Sequence, residues 1–189
     1  LVAGDGKIRP DLCPSLRQRS QYLAFVKQLV GGGMLVGGVE ARETLTHFLK
    51  TKKDGRIRLV LDALGVNQRF ASPRKPRLGS TSALAELTIL EGEQLYVSTS
   101  DIKDCFYSME APEWLWPFFS LPKLTRAEGI SLGVIGEDLA LGHVIPQSRV
   151  LPMDWSWSVY FCQSAHEYMA MQSGAVEAAD NLVDFGTGP

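Results

Sequence analysis

LTHFLKTKKDGRIRLVLD, residues 45–62, decides the fold class. Two runs of strand-forming residues, Leu45 to Lys52 and Arg56 to Asp62, flank the turn-prone Lys53, Asp54 and Gly55, which predicts a β-hairpin with cationic arms. Upstream, Ser15 to Val30 places Leu16, Tyr22, Leu23, Val26, Leu29 and Val30 at three- and four-residue steps, predicting an amphipathic helix stopped by Gly31 to Gly33. Downstream, Pro73 and Pro76 mark a loop, and Thr81 or Ser82 can cap a short helix through Leu84, Leu87 and Leu90. Gln94 to Asp101 reads as a strand that ends on a carboxylate. Ser156 to Met171 reads as a second substantial helix, and Ala175 to Phe185 as two short strands meeting near Asp180 and Asn181. Leu121 to Arg149 is weakly patterned and reads as a hairpin or long loop. The sum is an α+β architecture.

The chain has 189 residues, 45% apolar and 21% charged, enough for one domain with a real core and a small subdomain. This composition excludes disorder, collagen and a disulfide scaffold. No uncharged apolar run reaches the roughly 18 to 20 residues of a membrane-spanning helix, so no membrane partner is expected. Cys13, Cys105 and Cys162 lack CxxC spacing, which fits an intracellular compartment, cytoplasmic or nuclear. The start at Leu1, with Asp5, Lys7 and Arg9 close behind, does not read as a signal peptide and suggests a piece of something longer.

Charge is segregated. Residues 50–77 hold 9 basic and 2 acidic groups, whereas 78–189 hold 4 basic and 15 acidic ones, although the net charge is only -2. The basic segment, which includes Lys50, Lys52, Lys53, Arg56 and Arg58, suits a phosphate backbone or a triphosphate. The acidic remainder suits a site that concentrates divalent cations.

Four blocks now stand in order: GRIRLVLDALGVNQRF (55–70), DIKDCFYSM (101–109), LPMDWSWSVYFCQ (151–163) and AADNLVDFG (178–186). Together they resemble the fingers and palm motifs of reverse transcriptases, most closely those of retroviral and long-terminal-repeat retroelements. The resemblance spans roughly Thr44 to Gly186. It implies a polymerase right-hand palm, an antiparallel sheet backed by helices, with a fingers β-hairpin over 44–189, no thumb, and an N-terminal helical extension over 1–43. The implied reaction is RNA-directed DNA synthesis: addition of deoxynucleotides to a primer on an RNA or DNA template, using two Mg2+ ions.

The same resemblance implies the site. Asp101 and Asp180 would be the catalytic, metal-holding carboxylates, with the Ile102 carbonyl and Asn181 beside them. Lys53 (or Lys52) and Arg58 would hold the triphosphate, since guanidinium both stacks and forks. Phe106 would close the sugar 2′ side. Met153 and Asp154 would border the nucleotide, and Asn67 and Gln163 the template and primer.

Four positions depart from the family pattern: Asp154 stands in place of glycine, Asn181 of the second turn aspartate, Ala178 of the turn aromatic, and Leu64 of the arginine after Asp62. A carboxylate about 4 Å from a phosphate costs about 4 kcal/mol at an effective dielectric near 20, roughly a thousandfold in rate. A weak or inactive enzyme is therefore expected. The alternatives are a non-catalytic nucleic-acid-binding remnant that keeps the fold, and an unrelated α/β interaction domain.

Other motifs lead elsewhere. His166 and Glu167 begin like HExxH, but position 170 is Ala. Cys162 and His166 lie one helical turn apart, where a buried face is the expectation. Trp114, Trp116, Phe118 and Phe119 are dense enough to read as core.

Overall fold

Tyr22, Phe25, Val26 and Leu29 recur at helical spacing and are the buried residues of α1 (Arg19–Gly31) in the computed structural model. The structure describes residues 18–51, 53, 55, 57–74, 85, 87–99, 101–135, 142–174 and 176. The expected glycine stop is present: the amides of Gly32, Gly33 and Met34 return to the Gln28, Val30 and Leu29 carbonyls, and Gly33 takes a φ of 67° that a side chain would resist.

After α1 comes β1 (Leu35–Gly38), which pairs antiparallel with β5 (His143–Ser148), Leu35 facing Ser148 and Gly38 facing Ile145. On the other edge of β5 lies the short β4 (Leu124–Thr125). Beyond the Gly31 to Gly33 stop, Gly38 has a packing role. A Cβ there would overlap the Gln147 side-chain amide, which donates to the Glu40 carbonyl at 2.6 Å.

The hairpin forms as the sequence predicts. β2 (Thr46–Thr51) and β3 (Ile57–Asp62) pair antiparallel, with Thr46 opposite Asp62 and Lys50 opposite Arg58. Its base enters the core through Leu45, His47, Val60 and Leu61, while Lys50, Thr51, Lys53 and Arg58 at the far end are exposed. The single turn α2 (Leu64–Asn67) follows, started by Asp62, whose Oδ1 accepts the Leu64 amide at 2.9 Å.

Leu121 to Arg149 is more ordered than its pattern suggested. It contains β4, α3 (Arg126–Leu132) and β5. Thr125 and Glu128 form a reciprocal capping box at the start of α3, and Gly133 closes it at φ 75°. The Thr-x-x-Glu signal was present in the sequence. Glu128 also meets Arg19 of α1, whose guanidinium, ahead of the Thr125 amide, holds the Glu128 carboxyl down to about 2.

One expectation fails and another holds only in part where tertiary partners are missing among the described residues. Residues 94–99 form no strand, and Leu95, Tyr96 and Val97 are exposed. A strand needs a ladder neighbour, and none pairs with this segment among the described residues. Within the expected short helix Ala85 is helical, but Leu87 to Leu90 are not, and Leu87, Ile89 and Leu90 are exposed; a short helix without a buried face is marginal. The cap at Thr81 or Ser82 and the paired strands of 175–185 lie outside the described residues.

Among the described residues two short 3₁₀ segments remain, η1 (Cys105–Ser108) and η2 (Glu113–Phe119), along with the long α4 (Ser156–Gln172). One core joins α1, the hairpin base, η2, the sheet and the start of α4. Phe119 and Trp155 are buried in it edge to face, and Phe70 and Phe118 pack around them. The aromatic cluster is thus core except for Trp114, which is 63% exposed. The class is mixed α+β with small antiparallel sheets. Among the described residues no helix is long and apolar enough to cross a membrane.

Candidate functional site

Three segments far apart in sequence meet beside the hairpin base, and each junction is a specific hydrogen bond. The Tyr107 hydroxyl donates to the Leu59 carbonyl of β3 at 2.9 Å. Asn67, at the end of α2, donates from Nδ2 to the Asp154 carbonyl at 2.9 Å and accepts the Ser156 amide on Oδ1 at 2.8 Å. Residues 109–111 are stitched to 149–151: Leu151 N–H donates to the Met109 carbonyl and Ala111 N–H to the Arg149 carbonyl. Glu110 and Arg149 form an ion pair beside this seam.

These bonds bring together Arg58, Asn67, Tyr107 and Asp154. The Tyr107 hydroxyl is pushed up to about 12, first by burial and then by the Asp154 charge, with Arg58 opposing. Asp154 is itself held above the usual carboxylate range by desolvation and by the nearby Asp62. The Asp154 carboxylate thus feels Asp62 on one side, and it bears on Tyr107 together with the exposed Arg58 guanidinium. The guanidinium is suited to an anion; the carboxylates oppose one. Leu64, where the family pattern has arginine, is exposed and gives Asp62 only its backbone amide.

The remaining expected residues are distributed as follows. Lys53 is exposed at the hairpin turn; Lys52 lies outside the described residues. Phe106 is half-buried and packs against the core. Met153 is half-buried in the turn leading to α4, and Gln163 on α4 donates to Glu167 Oε1 at 2.8 Å. Asp101 and Ile102 line an open cleft of about 520 Å³ with Cys105, His166 and Met169. Asp180 and Asn181 lie outside the described residues. Among the described residues no three His, Cys, Asp or Glu side chains converge as a cation cage.

Sequence reasoning gave Tyr107 no role, although it sits in the block that carries Asp101. The signal for its anchoring was a phenol near a strand edge, which is too general to assign a partner. Cys162 is buried, as its place one helical turn from His166 suggested, and it is Cys105 that comes to His166 across the cleft, Sγ to Nε2 at 3.7 Å.

No protein-family model matches the chain, and no curated protein matches it.

Proposed function

We propose that the chain is the fingers and palm portion of a reverse-transcriptase-like nucleotidyltransferase, acting on deoxynucleoside triphosphates and a primer on an RNA or DNA template. The observation that carries this reading is the junction of three motif blocks: Tyr107 on Leu59, Asn67 on Asp154 and Ser156, and Leu151 on Met109. Motifs alike by coincidence have no reason to meet through their own residues.

In this reading Arg58 and Lys53 receive the triphosphate, Phe106 borders the sugar, and Met153 borders the base. Asn67 fixes the turn that carries Asp154, and Gln163 faces the template side. Magnesium held by the Asp101 carboxylate, the Ile102 carbonyl, Asp180 and Asn181 would supply Lewis-acid activation of the primer oxygen and charge neutralisation. Asp154 opposes the triphosphate, which makes the chain a weak catalyst.

A second reading, a nucleic-acid-binding module without catalysis, is favoured by the Asp154 carboxylate, which bears on Tyr107 together with Arg58 and so opposes a triphosphate there. Magnesium-dependent primer extension on an RNA template separates the two, run on the native chain and on Asp154→Gly with Asn181→Asp. The enzyme reading expects nucleotide addition that rises in the double variant and disappears with Asp101→Ala. Salt-sensitive filter binding of primer-template, untouched by Asp101→Ala and without any extension, supports the second reading. Neither extension nor binding sinks both.

A further inference from the structure

The cleft beside Asp101 carries a sulfur cluster that nucleotidyl transfer does not use. Cys105 lies at the start of η1, half-buried, on the cleft wall and 3.7 Å from His166 Nε2. Cys162 is buried one helical turn before His166 on α4, so both face η1. Its Sγ rests 3.0 Å from the Met109 sulfur, just past the end of η1. These two contacts, between the Cys105–Met109 segment and the Cys162–His166 turn of α4, set the thiols beside each other, and burial first and Cys105 second push the Cys162 thiol up to about 12.

The environments are unequal in a way that assigns roles. Cys105 is reached from the cleft with the His166 imidazole beside it; Cys162 is shielded, and burial favours its protonated form. We infer that Cys105 and Cys162 are a peroxide-responsive thiol pair that closes reversibly into a disulfide tying η1 to α4. Hydrogen peroxide is the oxidant. The Cys105 sulfur attacks it, the O–O bond breaks, and Cys105 becomes a sulfenic acid with release of one water. The Cys162 sulfur then displaces the sulfenic oxygen: the S–O bond breaks, the S–S bond forms, and a second water leaves with the Cys162 proton. In sum, two thiols lose two hydrogen atoms and one peroxide becomes two waters. A small dithiol reverses the step by exchange. This inference is independent of the polymerase reading, because it uses only the thiols, His166 and the cleft.

The test is peptide mapping of the native 189-residue chain after brief hydrogen peroxide treatment and alkylation. The expected result is a Cys105–Cys162 cross-linked peptide and a fall in free thiols from three to one, Cys13 being the one that remains. The melting temperature should rise by about 5 °C and return with dithiothreitol. Cys13→Ser should keep the cross-link, and Cys105→Ser and Cys162→Ser should each abolish it. His166→Gln should slow its formation without changing the product. Sulfinic or sulfonic acid at Cys105 with Cys162 free, or cross-links through Cys13 or between chains, would overturn the inference. The wild-type map decides by itself, so a variant that fails to fold leaves the test intact.

Discussion

Asn67 and Asp154 are joined side chain to backbone across 87 residues, the Asn67 amide donating to the Asp154 carbonyl while its oxygen accepts the Ser156 amide. One side chain therefore links the hairpin base to the first turn of α4 and satisfies one of that helix's free amides. Asn67→Ala should cost about 1 to 2 kcal/mol in urea denaturation. Asn67→Asp should keep the Ser156 contact yet lose the bond to Asp154 and add a charge near Asp154, so it should not restore full stability. An unchanged midpoint for Asn67→Ala would show that the clamp contributes nothing.

Asp154 should control anion affinity beside Arg58. Its carboxyl has a raised pKa from desolvation and Asp62, so it gains its proton earlier than an ordinary aspartate as pH falls. Asp154→Asn should tighten binding of a deoxynucleoside triphosphate, measured by fluorescence titration, most strongly at neutral pH. The advantage should shrink as pH falls and the native carboxyl gains its proton. Arg58→Ala should weaken binding in both backgrounds. A gain independent of pH would point to shape rather than charge.

His47 should make the fold acid-sensitive. It is fully buried, stacked on Phe25 at 5.0 Å and near parallel, beside Tyr22, with no hydrogen-bond partner for either ring nitrogen among the described residues. Burial lowers its pKa, against a smaller opposing pull from the Leu45 backbone. Below the ordinary histidine value of about 6.5 the unfolded chain takes up a proton that the folded chain refuses. Stability therefore falls with pH, by at most about 1.4 kcal/mol per unit from this group. Denaturant titrations from neutral to mildly acidic pH should show that slope, and His47→Phe should flatten it. An equal slope in the variant would assign the effect elsewhere.

Gly129 should resist alanine even though it sits inside α3. A Cβ there would overlap Val144 Cγ1 and approach the Val134 carbonyl to 2.9 Å. Alanine's better helix propensity, worth about 1 kcal/mol, is outweighed by overpacking of about 1 to 3 kcal/mol. Thermal melts should show Gly129→Ala destabilised overall. Val144→Ala in the same chain should recover only part, because the carbonyl contact involves backbone.

Local chemistry explains why some elements were legible. The Asp-Gly step between strand-forming runs, the apolar spacing of α1 and the run of Ser156 to Met171 each carry their signal within one turn or hairpin. Thr125 and Glu128 carried one too, and it went unread inside a stretch with weak periodicity. Segment 94–99 failed in the opposite sense: β-forming residues without a neighbour do not make a sheet. For the site, the sequence named Arg58, Asn67 and Asp154 separately, but nothing local connects Tyr107 to Leu59 or Cys105 to His166.

The sequence by itself determined the helix, the cationic hairpin and the segregation of charge, because those depend on residues close along the chain. Only the tertiary structure decided that Asp154 feels the Asp62 charge, that the ring nitrogens of buried His47 have no hydrogen-bond partner among the described residues, and that Cys105 and Met109 meet His166 and Cys162 of α4. Burial and cross-chain proximity set those energies, and neither is a property of any short stretch of sequence.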